Sequence, residues 1–265
     1  MQLELLSAVP ASRTRKTSVL LVHGICLGAW VWEGNFLPYL ADEGFPTYAL
    51  SLRGHGESDG GEGMRFWRLK DFSEDLDWAV RQIGGPVVIV AHSMGGGVAQ
   101  YYLRQGGRAA GLVLMASVPP HGLMRASLSM YNRNPSLWDE LYKARTGRIG
   151  DVDLGIFESG LFSRPIAPGD RKQLIRRLSP PALQASIELM GWPPIAPLPW
   201  LSPPRLIVGG ERDNMIPLAD VYLTGAYYGV APIIIPDCAH AIMLESQWQQ
   251  AAEQIRAWLI RCFEN

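Results

Sequence analysis

Six short tracts of this chain are apolar on consecutive positions and rich in β-branched residues. They are "SVLLVHG" (18–24), "FPTYALSL" (45–52), "PVVIVAHS" (86–93), "AGLVLMAS" (110–117), "PRLIVGG" (204–210) and "APIIIPD" (231–237). A strand with one wet face alternates apolar and polar side chains. A strand covered on both faces does not, and such strands belong to parallel sheets. Amphipathic stretches lie between the tracts, at about 31–42, 65–83, 95–106, 217–229 and 246–263. In the last of these Trp248, Ala251, Ala252, Ile255, Leu259 and Phe263 recur at helical spacing. Strand and helix in alternation imply an α/β fold: a doubly wound, mostly parallel sheet with right-handed crossovers.

The alternation breaks over 119–203. This segment has helical patterns such as "SLWDELYKAR" and "ALQASIELMGW" but no buried strand. It opens at "PPHG" (119–122) and closes at "PPIAPLPWLSPP" (193–204), where proline forbids both helix and central strand. It reads as an inserted helical lid with a proline-rich return linker, set into a core made of 1–118 and 204–265. A chain of 265 residues, 48% hydrophobic, has enough apolar surface for one large domain carrying such an insertion.

Composition excludes several function classes. A net charge of −1 gives no basic surface for nucleic acid. No apolar run approaches the roughly 20 residues that span a bilayer. Cys26, Cys238 and Cys262 are an odd set without CxxC spacing, which argues against a disulfide framework or zinc site and for a reducing compartment. "MQLELLSAVPASRTRK" lacks the basic n-region and apolar core of a secretory signal, so a cytoplasmic location is expected. Neither cofactor nor metal is called for.

Within "VVIVAHSMGGGVAQYYLRQ" (87–105) a buried strand runs into a helix through a corner occupied by Ser93. A sharp strand-to-helix turn lifts a hydroxyl off the carboxyl end of the sheet, where α/β ligand crevices form. Its neighbours must be small. Gly95 follows two residues later, and Ala91 stands where the G-x-S-x-G pattern has its first glycine. The helix beginning near Met94 aims its positive end at the same place. By itself "HSMGGG" also reads as a plain glycine-rich βα turn.

Four further stretches appear with it in a familiar order: "VHGICLGAW", "SLRGHGESDG", "GGERDNMIP" and "DCAHAIMLE". Together they resemble the α/β-hydrolases of the lid-bearing esterase and lyase type, over essentially the whole chain. "HGICLGAWVW" and "DCAHAIMLE" are similar to the plant methylesterase and hydroxynitrile lyase branch and its bacterial relatives. "RGHGES" resembles the esterase, peroxidase-like and C–C hydrolase branches, where Arg53 and His55 would organise a loop. Serine at position 93, where dehalogenases and epoxide hydrolases of the fold carry aspartate, argues against those two activities.

The resemblance implies roles. Backbone N–H groups of Met94 and of Ile25, the residue after His23-Gly24, would form the oxyanion hole. The acid should follow the nucleophile and precede the histidine, which selects Asp213, with Glu211 in reserve. Of the five histidines only His240 comes after both, and it is taken as the base. Asp237, on the same loop as His240, is a poorer partner. His23 reads as a loop brace, His92 as diverging from Ser93, and His121 as a possible substrate contact. The expected activity is hydrolysis of a small or medium apolar ester through an acyl-enzyme. C–C bond hydrolysis or hydroxynitrile lyase chemistry with the same triad is one alternative. The lyases add a lid lysine, and Lys143 and Lys172 are the lid's two. A non-catalytic small-molecule receptor is another. Among the apolar residues of the lid and loops, Trp30, Leu123, Met124, Met130, Trp138, Leu161, Phe162, Trp192 and Met243, most read as core and a minority would line a pocket over Ser93. Oligomeric state is not readable.

Overall fold

The computed structural model describes residues 1–11, 14–145, 148, 151–191 and 194–264. Seven strands form one sheet: β1 (Leu5–Ala8), β2 (Ser18–Val22), β3 (Thr47–Leu50), β4 (Val87–His92), β5 (Gly111–Met115), β6 (Arg205–Gly210) and β7 (Ile233–Ile235). Their order across the sheet is β1-β3-β2-β4-β5-β6-β7. Every pairing is parallel except that of β1 with β3.

β2, β4 and β5 are buried at every residue. Along them, successive side chains enter opposite cores. Val19, Leu21, Val88, Val90, Val113 and Met115 pack into one, while Leu20, Val22, Ile89, Ala91, Leu112 and Leu114 pack into the other. The period of two persists, but both faces are dry, so both sets are apolar. The helices α1 (Phe36–Asp42), α2 (Leu69–Ile83) and α3 (Met94–Arg104) follow β2, β3 and β4. Phe36 and Leu40 of α1 close the first face, and Phe72, Leu76, Val98 and Tyr102 of α2 and α3 close the second.

Between β5 and β6 lie α4 (Met124–Arg133), α5 (Pro135–Arg145), α6 (Leu154–Leu161), α7 (Pro168–Arg177) and α8 (Leu183–Glu188). No strand occurs there among the described residues. β5 and β6 stay adjacent, with Val113 opposite Leu206. The segment therefore leaves the sheet and returns beside its own point of departure. α9 (Leu218–Tyr228) and α10 (Trp248–Phe263) complete the chain. On α10 the buried set is Ala251, Ala252, Ile255, Trp258 and Leu259. Trp248 and Phe263, expected on that face, pack at its edge.

β1 was not expected. "LLSA" is four residues long and only half buried. Its order comes from the ladder with β3, Leu5 opposite Leu50 and Ala8 opposite Thr47.

The chain passes from β2 to β3 on one side, then crosses to β4 on the other. That reversal opens a crevice beyond the carboxyl ends of β2 and β4, the place where open α/β sheets bind ligands. Three features near it hold the loops. The guanidinium of Arg53 grips the buried carboxylate of Asp75 at 2.8 and 2.6 Å. His23 donates from Nδ1 to the Gly24 carbonyl (2.7 Å) and accepts the Leu52 N–H at Nε2 (3.0 Å). His55 donates to the Arg53 carbonyl at 3.1 Å. Burial first, and His55 second, hold the His23 imidazole far below its ordinary pKa, so this brace is neutral.

Candidate active site

Ser93 ends β4 and opens α3 with φ 51° and ψ −118°. A non-glycine residue at positive φ is strained by about 1–3 kcal/mol, which the surroundings must offset. Here Ser93 N–H donates to Met115 O (3.2 Å), and Ser93 O accepts from Gly96 (3.0 Å) and Val118 (3.1 Å). Gly95 shows why the corner tolerates no larger residue. A Cβ there would collide with the His23 carbonyl oxygen and stand 2.9 Å from that of Val22, so glycine lets α3 start against β2.

The structure brings Ser93, His240 and Asp213 together, from the ends of three different strands. His240 Nε2 lies 2.9 Å from Ser93 Oγ, and His240 Nδ1 lies 2.8 Å from Asp213 Oδ2. All three are buried. Facing a carboxylate, Nδ1 carries the proton, which leaves Nε2 free to accept from the serine hydroxyl. Asp213 uses its other oxygen, Oδ1, to accept the N–H groups of Met215 (2.7 Å) and Ile216 (2.8 Å). A turn-capping reading of Asp213 and an imidazole-holding one are thus both met, one by each oxygen.

The remaining candidates sit elsewhere. Glu211 accepts the Asp237 N–H at 2.9 Å, and the Asp237 carboxylate is ion-paired with Arg212. His121 does not reach the site. It meets Asp220 Oδ1 at 3.0 Å, where Arg125 joins it at 2.9 Å. Lys143 pairs with Asp139 and Glu140, Lys172 is exposed, and no lysine lines the cavity over Ser93 among the described residues. All three cysteines are free thiols. Among the described residues no cluster of three or more His, Cys, Asp or Glu side chains is placed to hold a metal ion, and no helix is long and apolar enough to cross a membrane.

A cavity of about 550 Å³ opens over Ser93 and His240. Ile25 and Met94 line it beside them. Met94 is the first residue of α3, so its N–H has no carbonyl one turn back to serve. No hydrogen bond among the described residues takes the Ile25 N–H. Of the nine apolar residues singled out in the sequence, Leu123, Met124, Met130 and Trp138 line the cavity. Trp30, Leu161, Phe162 and Met243 do not. Phe162 and Met243 are buried in the core, Leu161 packs against it, and Trp30 lies under the Arg177 guanidinium at 4.8 Å. Trp192 falls outside the described residues. Sequence reasoning missed Leu128, Tyr131, Leu141, Ile187 and Met215, which also face the cavity. On half-exposed helices the apolar spacing gave no sign of which stripe turns inward.

The Asp220 cluster joins the start of the 119–203 segment to α9. Burial pushes the Asp220 pKa up, but His121 and Arg125 outweigh it, and the group titrates below its ordinary 3.8. A carboxylate lowered in the folded state stabilises above its unfolded pKa, and that contribution is lost as pH falls through the folded value. The melting temperature of Asp220→Asn is therefore expected to lie below that of the unmodified protein at neutral pH. The two should converge below about pH 3.8. Thermal melts across pH check this. Curves that remain parallel into the acid range would mean the join is not ionic.

Comparison with known proteins bears on this arrangement. The model of the alpha/beta hydrolase family matches residues 19–254. A protein named non-heme chloroperoxidase CPO-A1, from Kitasatospora aureofaciens, is 27% identical over 220 residues, covering 76% of this chain and 75% of that one. Methyl jasmonate esterase 1 from Vitis vinifera is 27% identical over 178 residues, covering 63% and 62%. Among solved structures, a thermophilic esterase from Thermogutta terrifontis superposes with TM-score 0.73 at 24% identity, covering 98% of this chain and 94% of its own. A monoglyceride lipase from Saccharomyces cerevisiae gives TM-score 0.72 at 18% identity, covering 99% and 95%.

Proposed function

This chain belongs to the alpha/beta hydrolase family, and from that premise we propose that it is a serine hydrolase of the carboxylesterase type. In this reading an uncharged ester is cleaved through an acyl-enzyme, with Ser93 as nucleophile, His240 as general base and Asp213 as the acid that orients it. One observation carries the proposal: the Ser93–His240–Asp213 relay, with links of 2.9 and 2.8 Å, opens onto a cavity lined mostly by apolar side chains. The esterase named among the relatives supports the same reaction class.

In this reading the steps run as follows. Ser93 Oγ attacks the ester carbonyl carbon while its proton passes to His240 Nε2. Asp213 Oδ2 steadies the imidazolium through Nδ1–H. The Ile25 and Met94 N–H groups receive the oxyanion, the position where charge develops. Collapse expels the alcohol, which takes the proton from Nε2. Water then repeats the attack on the acyl-enzyme, with His240 again as base, and the carboxylic acid leaves. The helices of 119–203 act as the lid, since α4, α5 and α8 supply most of the cavity wall.

Substrate charge is the sharpest specificity expectation. Among the described residues lining the cavity there is no Asp, Glu, Lys or Arg. A substrate carboxylate buried there would meet no Lys or Arg among the described lining residues, at a cost of several kcal/mol. A panel of p-nitrophenyl esters tests this together with the reaction. Neutral butanoate and hexanoate esters are expected to exceed the hemi-ester of a dicarboxylic acid by at least about 10²-fold in kcat/KM. Equal rates would place the acyl group outside this cavity. Absence of hydrolysis across the panel, with no labelling by a fluorophosphonate, would overturn the proposed activity.

A further inference from the structure

His92 is buried at the end of β4, next to the nucleophile in sequence, yet its ring bonds elsewhere than to the hydroxyl. Its Nε2 lies 3.0 Å from the backbone carbonyl oxygen of His240. A carbonyl only accepts, so Nε2 carries the proton and donates. The two imidazole rings stand 4.9 Å apart, centre to centre, tilted by 53°. His92 Nδ1, by contrast, is buried with no hydrogen-bond partner. It points at Gly24, where a Cβ would stand 2.8 Å from it.

A buried acceptor left unpaired is destabilising. An apolar side chain of similar size would avoid that cost. What it would lose is the side-chain hydrogen bond His92 makes, and that bond ends on the residue whose imidazole faces Ser93. The loop carrying His240 is held on either side of this residue, where Cys238 O accepts the Arg212 N–H (2.8 Å), Ala239 N–H donates to Glu245 Oε1 (3.0 Å) and Ala241 N–H donates to Leu161 O (2.9 Å), but none of these bonds ends on the nucleophile corner. The His240 carbonyl also accepts the Ile242 N–H at 2.9 Å, but that contact is local to the loop and does not tie it to the sheet. The bond from His92 does, because β4 lies in the middle of the sheet.

We propose that His92 is a positioning residue for the general base: by donating from Nε2 to the His240 backbone carbonyl it fixes that loop against the nucleophile corner and holds His240 Nε2 within reach of Ser93 Oγ. The inference rests on the reading of His240 as base. Burial, and then the neighbouring His240, keep the His92 imidazole well below its ordinary pKa, in keeping with a neutral donor that does not itself exchange protons during turnover. The missing side chain of Gly24 makes room for the His92 ring.

The test compares His92→Leu, which keeps volume and loses the donor, with His92→Gln, whose amide can place an N–H at similar reach. His92→Leu is expected to lower kcat by about 10- to 100-fold on a neutral ester, the scale of a misplaced catalytic group, with KM little changed. His92→Gln should recover most of the loss. A folded His92→Leu protein with the original kcat overturns the proposal, and so does a His92→Gln protein no better than His92→Leu. Where His92→Leu fails to give a cooperative melt, nitrogen NMR of the imidazoles in the unmodified protein decides. A proton on His92 Nε2 with bare Nδ1 supports the assignment; a proton on Nδ1 sinks it. An inactive Ser93→Ala alongside a fully active His92→Leu would remove only this inference and leave the proposed hydrolase standing.

Discussion

Ser93→Ala is expected to lower kcat for ester hydrolysis by roughly 10⁶-fold, the scale seen when the nucleophile is removed from a serine triad. The cavity also holds Ser127 and Ser186. Of the other cavity serines, Ser186 donates its hydroxyl proton to the Ala182 carbonyl at 2.8 Å. Among the described residues, the only hydroxyl bonded to His240 is that of Ser93. The fold should survive, because the strained corner is held by backbone bonds from Met115, Gly96 and Val118, which alanine retains. The melting temperature is accordingly expected to move by only a few degrees, as for loss of a single hydrogen bond. A fluorophosphonate should label the unmodified protein at Ser93 and leave the variant unlabelled. Hydrolysis by Ser93→Ala at the original rate would show the nucleophile to be elsewhere.

The sheet could be read from residues because its chemistry is extreme. β2, β4 and β5 are apolar on consecutive positions, Ser18 and His92 at their ends excepted, and only a strand dry on both faces needs that. β1 could not, since "LLSA" is ordinary until Leu50 stands opposite Leu5. The candidate site divides in the same way. Ser93 announced itself through Gly95, whose lack of a side chain is a backbone requirement local to the corner. Asp213 and His240 could be chosen because few residue types can serve and chain order left few positions. What the chain order cannot supply is the direction of a side chain that could pack either way. Trp30 and Met124 are equally apolar, yet one lies beneath Arg177 and the other lines the cavity. His121 looked free to meet a substrate, and a buried carboxylate 99 positions away claims it instead. His92 adjoins Ser93 in sequence, and its partner, the His240 carbonyl, lies 148 positions on. In each case the missing information was tertiary: a partner that becomes adjacent only once the sheet is formed.

Asp213→Asn should cost about 10⁴-fold in kcat, although it replaces one oxygen by a nitrogen of nearly the same size. The reason lies in the division of labour between the two carboxylate oxygens. Oδ1 receives two backbone N–H groups, from Met215 and Ile216. An asparagine must turn its only oxygen toward those donors, because an NH₂ there would leave both unpaired and opposed. Its NH₂ then faces His240 Nδ1. A donor on that side draws the bare nitrogen of the imidazole to Nδ1 and sends the proton to Nε2. His240 would donate toward Ser93 instead of accepting from it, with every heavy atom close to its present place. Nitrogen NMR of the variant should therefore find the His240 proton on Nε2, while its melting temperature stays near that of the unmodified protein. Glu211→Gln supplies the contrast. Among the described residues the Glu211 side chain accepts only the Asp237 N–H, which a glutamine oxygen can also accept, so its kcat should be unchanged within about twofold. Should Asp213→Asn keep its activity while Glu211→Gln loses it, the orienting acid would have to be sought on the other carboxylate of that turn, and the relay drawn from Asp213 through His240 would fail at its first link.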